Sequence, residues 1–305
     1  MSTDDLIYNL ICPDCRGKIL PISEDRIICT RCRRRFSIGS SVINMLPIAV
    51  QKNYEDDAWK VLPYEGIDKP AWMALLHKRD RVLDFSERIL PNFGFAGKIL
   101  EVGAGTSWAS ALIKKRFPKS FVVATDISPF ALEKGIAIAK LLESSADYRI
   151  ACDAECLPFA DEYFDIVLSN AAIHHFHDPL RGIREIWRVL KNGGRSCALG
   201  EVAAGGLFKR ILTSRIGPAG KRAGSLGIEE KVFSLKAWMK FFQSCGFTYI
   251  EAHFDKTWKR KLYDWFVASY YRTVSTFPNV LLGDFLPCNV DIYAVKSKRT
   301  DHTAA

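Results

Sequence analysis

The chain has 305 residues, 48% of them hydrophobic and 25% charged, with a net charge of +9. These proportions belong to a globular protein large enough for two domains and a sizeable core; they exclude a disordered or fibrous chain. No apolar run reaches the length of a transmembrane helix, and Asp4 and Asp5 stand where a signal peptide would carry its basic region. The expected location is therefore cytoplasmic. In that compartment the nine cysteines argue for a metal site plus buried thiols, not for disulfides. The positive charge has two readings, solubility or attraction to an anionic partner.

Residues 11–36 read ICPDCRGKILPISEDRIICTRCRRRF. Cys12 and Cys15 form one CxxC knuckle, Cys29 and Cys32 a second. Each knuckle puts two thiolates on one tight turn, and two such turns close a tetrahedral four-sulfur site. The short apolar pieces at 18–20 and 26–28 supply a hairpin between them. Four protein ligands leave no open position, so the expected ion is a structural zinc that helps the piece fold. A redox CxxC would sit in a βαβ pattern, which is absent here. With the following SIGSSVINMLP, the segment resembles the small zinc-ribbon proteins that accompany tRNA and rRNA methyltransferases, and the ribbon fused ahead of some rRNA guanine-N1 enzymes. Arg31, Arg33, Arg34 and Arg35 cluster on the second knuckle, either as a solvated face or as an RNA phosphate contact. Residues 1–50 are read as this ribbon, and 51–96 as a helical connector and cap whose His77 is a surface or interface residue.

Residues 97–108, GKILEVGAGTSW, organise the rest of the chain. An apolar strand interrupted by Glu101 ends in Gly103-Ala104-Gly105, and a helical pattern starts at Trp108. Gly103 permits a turn with positive φ, and Gly105 lets backbone N–H groups approach a ligand closely. A second strand, FVVAT, ends in Asp126, an acid able to accept both hydroxyls of a ribose. The dinucleotide fingerprint fails because Trp108 replaces its third glycine, and no Walker GK[ST] is present.

The order E-x-G-x-G, Asp126, Asp153-Ala154, then FDIVLSN ending in Asn170 resembles the class I S-adenosylmethionine (SAM) methyltransferases over roughly residues 97–203. One departure is Ser107, where many members have a third glycine; it asks for different packing at the helix start. The resemblance implies an α/β, Rossmann-like seven-stranded methyltransferase sheet behind the small N-terminal zinc ribbon. It implies a methyltransferase domain over 97–298 and a polar tail over 299–305. It also implies that Gly103, Ala104 and Gly105 meet the methionine end of SAM, with Glu101 orienting its amino group. By the same resemblance Asp126 takes the ribose, Ile127 lies beside the adenine, Asp153 and Ala154 bound the base, Leu157-Pro158-Phe159 packs nearby, and Asn170 lines the methyl-transfer side.

The remaining elements alternate as a covered parallel sheet requires. Ser128-Pro129 and Asp178-Pro179 read as helix starts, with a polar cap and proline at the first helical position. Gly193-Gly194 is expected to stop the second of these helices, with the fifth strand running from Arg195 to Val202. Residues 203–232 are rich in Gly, Lys and Arg and read as a long loop. Ser234 caps a further helix. Two more strands are expected at 247–254 and 288–296, the last antiparallel and inserted between the fifth and sixth in the resembled family. Residues 203–232 and 256–287 are read together as an acceptor lid, basic at the start and aromatic beyond it.

The expected chemistry is methyl transfer, in which alignment matters more than any protein nucleophile. His174 or His175, in AAIHHFHDP, can serve as general base for a hydroxyl acceptor; the alternative is that the loop covers SAM and its histidines only pack or hydrogen-bond. The loop after strand four does not match the [DN]PP[YF] signature of adenine amino-group methylation. The preferred acceptor is a small-molecule or lipid-linked metabolite methylated at oxygen or carbon, with contact to a membrane surface through the lid. The first rival is an RNA methyltransferase docking through the basic ribbon. The second is a catalytically silent SAM-binding partner protein.

Overall fold

In a computed structural model of the chain, residues 3–38, 41–51, 97–213, 231–254 and 288–297 are described. The connector at 52–96, the segment 256–287 and the tail from 298 lie outside them, as does residue His77.

The N-terminal piece begins with helix α1 (Thr3–Tyr8) and a small antiparallel sheet of β1 (Ile19–Ser23), β2 (Arg26–Cys29) and β3 (Arg35–Ser37). The hairpin between the knuckles is as expected, with β3 added. Next come β4 (Ile43–Asn44) and the short helix α2 (Ile48–Gln51).

The main sheet then builds from β5 (Lys98–Val102), α3 (Trp108–Arg116), β6 (Phe121–Asp126), α4 (Pro129–Leu142), β7 (Tyr148–Ala151), β8 (Phe164–Asn170), α5 (Pro179–Val189) and β9 (Leu190–Ala203). Helix α6 (Gly206–Thr213) is next, and α7 (Leu235–Ser244), β10 (Phe247–Phe254) and β11 (Cys288–Lys296) complete it. The strand order is β10-β11-β9-β8-β5-β6-β7-β4. Strands β4 to β9 are parallel to their neighbours, while β11 pairs antiparallel with both β9 and β10. Seven of these strands make the expected sheet, with β11 antiparallel between β9 and β10. The eighth, β4, comes from the N-terminal piece: Ile43 pairs with Ile150, and the Met45 N–H donates to the Ala151 carbonyl at 2.8 Å.

The parallel strands are apolar on both faces because helices cover both. Alternate side chains of β5 go to opposite sides, Leu100 and Val102 to one cluster and Ile99 to the other. One cluster gathers Ile183, Ile186 and Val189 of α5 with Trp238 and Phe242 of α7; the other gathers Ala109 and Ile113 of α3 with Leu132, Ile138 and Leu142 of α4. The capping expectations hold: Ser128 accepts from Ala131 N, Asp178 from Arg181 N and Ser234 from Ala237 N.

The N-terminal piece shares the first of these clusters. Leu6, Leu10, Cys12, Ile19 and Phe36 belong to it together with Leu157, Phe159 and Phe164. Full burial of a large apolar side chain contributes roughly 1.5–3 kcal/mol, so Leu10 and Phe159, bridged to each other, weld the piece to the sheet. Backbone bonds complete the seam: Ile11 N to Pro158 O at 3.1 Å and Ala160 N to Asn9 O at 2.8 Å.

Two local expectations change. Strand β9 begins at Leu190, directly after the helix, and not at Arg195. Leu190 pairs with Phe164 and Arg195 with Ile166, so residues 191–194 bulge out, helped by Gly193 at φ 80°. The first part of 203–232 is helical, because Leu207 and Ile211 recur at i, i+4 within the basic stretch.

Candidate functional site

The ends of β5, β6 and β8 converge at the carboxyl edge of the parallel strands, where open α/β sheets bind ligands. The turn after β5 has Gly103 at φ 70° and Gly105 at φ 53°. A Cβ on Gly103 would overlap the Cβ of Ala172, so the turn and the loop after β8 touch at this point. The Asp126 carboxylate bridges the two strand ends. Its Oδ2 accepts from Gly105 N at 2.7 Å and its Oδ1 from Ser128 N at 2.9 Å. The acid at the end of β6 is thus bonded to the glycine turn at the end of β5. Ile127, immediately after it, is 40% exposed, an apolar side chain left open beside the acid.

Glu101 is buried two positions before Gly103. Its Oε2 accepts from Ser110 N at 2.9 Å and from Ser110 Oγ at 2.5 Å. Among the described residues Oε1 accepts no hydrogen bond. Burial pushes its pKa up to about 7, the Ser110 donors offset part of that, and the Asp126 charge adds to it.

Asp153 and Ala154 open a 3-10 turn, Ala154–Cys156, after β7. The Asp153 carboxylate caps it by accepting from Glu155 N at 2.8 Å. The Glu155 side chain accepts from Asp178 N at 2.6 Å, tying this turn to the start of α5. Leu157 and Phe159, expected near the base, are fully buried against the N-terminal piece. Their carbonyls are taken by Arg188, at 3.0 and 2.7 Å.

Asn170 ends β8, and Ala171 follows at φ 52°. The loop then makes a second 3-10 turn, Ile173–His175. His174 is buried and His175 exposed, with ring centroids 4.1 Å apart. Glu201, on β9, is a site residue that the sequence patterns do not single out. It is fully buried and accepts from Ala172 N, Ile173 N and His174 N at 3.4, 3.2 and 3.1 Å, and pairs with His174 Nδ1 at 2.7 Å. One acid inside an apolar strand was the available signal.

Cys12, Cys15, Cys29 and Cys32 come together with all four Sγ atoms within 4.8 Å of one another. Cys12 and Cys32 sulfurs lie 3.6 Å apart, Cys15 and Cys29 3.4 Å. Tetrahedral zinc with bonds of about 2.3 Å spaces its sulfurs at about 3.8 Å, so the cluster fits such an ion. The Cys29 sulfur accepts from Arg31 N and Cys32 N, both at 3.4 Å. A side chain on Gly17 would come within 2.9 Å of that sulfur. Of the four clustered arginines, Arg31 donates to the Cys15 carbonyl, and Arg34 pairs with Asp14 and donates to the Leu46 carbonyl. Arg33 and Arg35 are exposed.

No helix among the described residues is long and apolar enough to cross a membrane. Residues 100–198 match the family described as "Methyltransferase domain". The chain is similar to the chloroplastic 2-methyl-6-phytyl-1,4-hydroquinone methyltransferase of Spinacia oleracea, 40% identical over 104 residues, 34% of this chain and 29% of that protein. It is also similar to the malonyl-[acyl-carrier protein] O-methyltransferase of Hahella chejuensis, 36% identical over 97 residues, 32% of this chain and 34% of that one. The alignments thus span about a third or less of these curated relatives. In structure it resembles the Galdieria sulphuraria protein assigned as a sarcosine dimethylglycine methyltransferase, with a TM-score of 0.54 at 16% identity, over 82% of this chain and 98% of that one. The fold is therefore Rossmann-like α/β, as in that structure, and residues 100–198 match the methyltransferase-domain family.

Proposed function

We propose that the protein is a SAM-dependent methyltransferase acting at oxygen or carbon of a small-molecule or lipid-linked acceptor. The observation that carries this is the bond between the Asp126 carboxylate and Gly105 N, at 2.7 Å. It brings the ribose-binding acid and the glycine turn to one point. Glu101 supports the fit, because the unbonded Oε1 of this buried acid suits the ammonium of a methionine moiety. Asp153, Ala154 and Ile127 supply the polar and apolar borders of an adenine subsite. When bound, SAM supplies an electrophilic methyl group. The chain orients it through Glu101 and Asp126, and aligns the acceptor beside Asn170 and the His174 loop.

The acceptor class is inferred from the hydroquinone and acyl-carrier-protein relatives. It is supported by α6, which leaves the β9 end of the sheet with Leu207 and Ile211 exposed beside Lys209 and Arg210. An apolar and basic face suits an acceptor with an apolar body and an anionic group. Of the lid expected at 203–232 and 256–287, residues 214–230 and 256–287 lie outside the described residues. The ribbon offers less for RNA, since Arg31 and Arg34 are held in bonds within the chain.

Residues Cys12, Cys15, Cys29 and Cys32 are proposed to hold one structural zinc.

Calorimetry with SAM and S-adenosylhomocysteine tests the central claim. Both bind, and Asp126→Ala weakens binding by about 1.5–3 kcal/mol, the range for hydrogen bonds to a charged group. Binding of NAD without SAM would end this reading. Incubation with labelled SAM and fractionated extract then identifies the acceptor.

A further inference from the structure

We infer that Glu201 is a positioning residue that fixes the tautomer of His174 and leaves its Nε2 as the proton acceptor of the site. The inference rests on the methyltransferase reading for its use, but its geometry stands independently.

Glu201 is fully buried in β9, where its backbone pairs with Val290 of β11. Two donors meet each carboxylate oxygen. Ala172 N and Ile173 N approach Oε1, and His174 N and His174 Nδ1 approach Oε2. A carboxylate has about four acceptor positions, and these four donors use them. The shortest of the four is the Nδ1 contact, at 2.7 Å. Nδ1 therefore carries a proton and donates it, and in a neutral imidazole Nε2 keeps the open lone pair. Among the described residues nothing hydrogen-bonds Nε2.

A carboxylate needed only to cap the 3-10 turn could do so from solvent, as Asp153 does from a half-exposed position. Glu201 instead is fully buried, on the strand next to β8, and holds both the turn and the ring it carries. The turn lies against the glycine loop, through the contact of Ala172 with Gly103. The oriented imidazole is thus built into the same edge of the sheet as Glu101 and Asp126.

This arrangement selects acceptors that lose a proton on methylation: a hydroxyl, or the ring carbon of a phenol. For a hydroxyl, the O–H bond breaks, its proton goes to Nε2, and its electron pair forms the O–CH3 bond. For a ring carbon, a ring π pair forms the C–CH3 bond, the C–H proton then goes to Nε2, and the C–H pair restores the ring. The methyl–sulfur bond of the sulfonium donor breaks, and that pair stays on sulfur. The imidazolium, paired to Glu201, then returns its proton to water.

The test uses the full chain labelled with 15N at histidine, alongside SAM calorimetry and turnover on the acceptor found. In the wild type, His174 shows a protonated, pyrrole-type Nδ1 and a pyridine-type Nε2. Glu201→Gln places an amide among the same donors; it keeps SAM affinity within about threefold and mixes the tautomers. It lowers kcat by about 100-fold, the lower end of general-base effects, with KM little changed. His174→Gln keeps the Glu201 caps on the turn and loses turnover equally. A pyridine-type Nδ1 in the wild type would overturn the proposal. So would unchanged tautomer and kcat in Glu201→Gln, or wild-type kcat in His174→Gln with SAM bound. Failure of the wild type to bind SAM, with the Nδ1-protonated tautomer observed, would instead overturn the methyltransferase reading.

Discussion

The Arg16 guanidinium donates to the Leu157 carbonyl at 3.1 Å, across 141 positions of sequence. Arg16 sits at φ 60°, on the turn of the first cysteine knuckle; Leu157 ends the loop that carries Asp153 and Ala154. The same loop returns a bond, Cys156 Sγ to the Pro13 carbonyl at 2.9 Å. Burial pushes the Cys156 thiol up, which keeps it protonated and able to donate. The knuckle and the proposed adenine border are therefore one bonded unit. Arg16→Ala removes a charged donor from a half-buried carbonyl, and its partly exposed pair with Glu185 contributes little. Expected outcomes are a loss of about 1 kcal/mol in stability, faster amide exchange at residues 153–157, and severalfold weaker SAM binding. Unchanged exchange at that loop would separate the two parts.

Metal content depends on the same seam. Purified protein should carry about one zinc per chain by elemental analysis. Because Cys12, Ile19 and Cys29 are part of the cluster that includes Phe159 and Phe164, Cys29→Ser or chelation should lower the thermal midpoint of the whole domain. SAM binding should weaken yet remain measurable, since Glu101, Gly105 and Asp126 lie on the far side of β7. Folded protein that never contained metal would contradict the assignment.

Glu101 sets a pH dependence. Its folded pKa of about 7 lies above the ordinary value of 4.5. Between these values the native state holds a proton that the unfolded chain has released. Stability contributed by the protonated acid is thus present at low pH and falls as pH rises toward 7. Glu101→Gln should flatten that fall and leave the apo protein more stable at pH 8, by at most about 3 kcal/mol. An ammonium beside Oε1 favours the charged acid, so wild-type SAM affinity should rise from pH 6 to 8 with proton release. Calorimetry in buffers of different ionisation enthalpy reads that proton, and its absence would remove Glu101 from the cofactor site.

Local chemistry made much of this legible in the sequence. Ser128-Pro129 and Asp178-Pro179 fix helix starts through a side-chain acceptor and a preset φ, and both appear as read. The alternation of apolar strands and helices gave the parallel sheet, and the resemblance to class I methyltransferases implied its inserted last strand. What stayed hidden depends on partners distant in sequence. Nothing near Ile43 announces that it extends the sheet beside Ile150, and Leu157 and Phe159 reveal their partner only once Leu10 arrives. Glu201 looks like any strand acid until the turn at Ile173 supplies its donors. The bulge at 191–194 is hidden because Gly-Gly reads as a helix stop, while the strand has already begun at Leu190.

Ser107 gives the last prediction. It occupies φ 57°, ψ 23°, a left-handed position that costs an L-residue about 1–2 kcal/mol and glycine nothing. It is 1% exposed, and among the described residues its hydroxyl finds no hydrogen-bond partner. A buried unpaired hydroxyl costs roughly a further 1–3 kcal/mol. Glycine removes both terms, and its greater freedom in the unfolded chain offsets only about 0.5–1 kcal/mol. Ser107→Gly should therefore stabilise the protein by at least about 1 kcal/mol and raise the thermal midpoint by several degrees. Backbone geometry at Ala104–Gly105 does not depend on the side chain, so SAM affinity should hold or improve. A drop in affinity together with a rise in stability would show that the Ser107 hydroxyl is kept unpaired for the ligand. A drop in stability would show that the left-handed turn is held by packing that glycine loses.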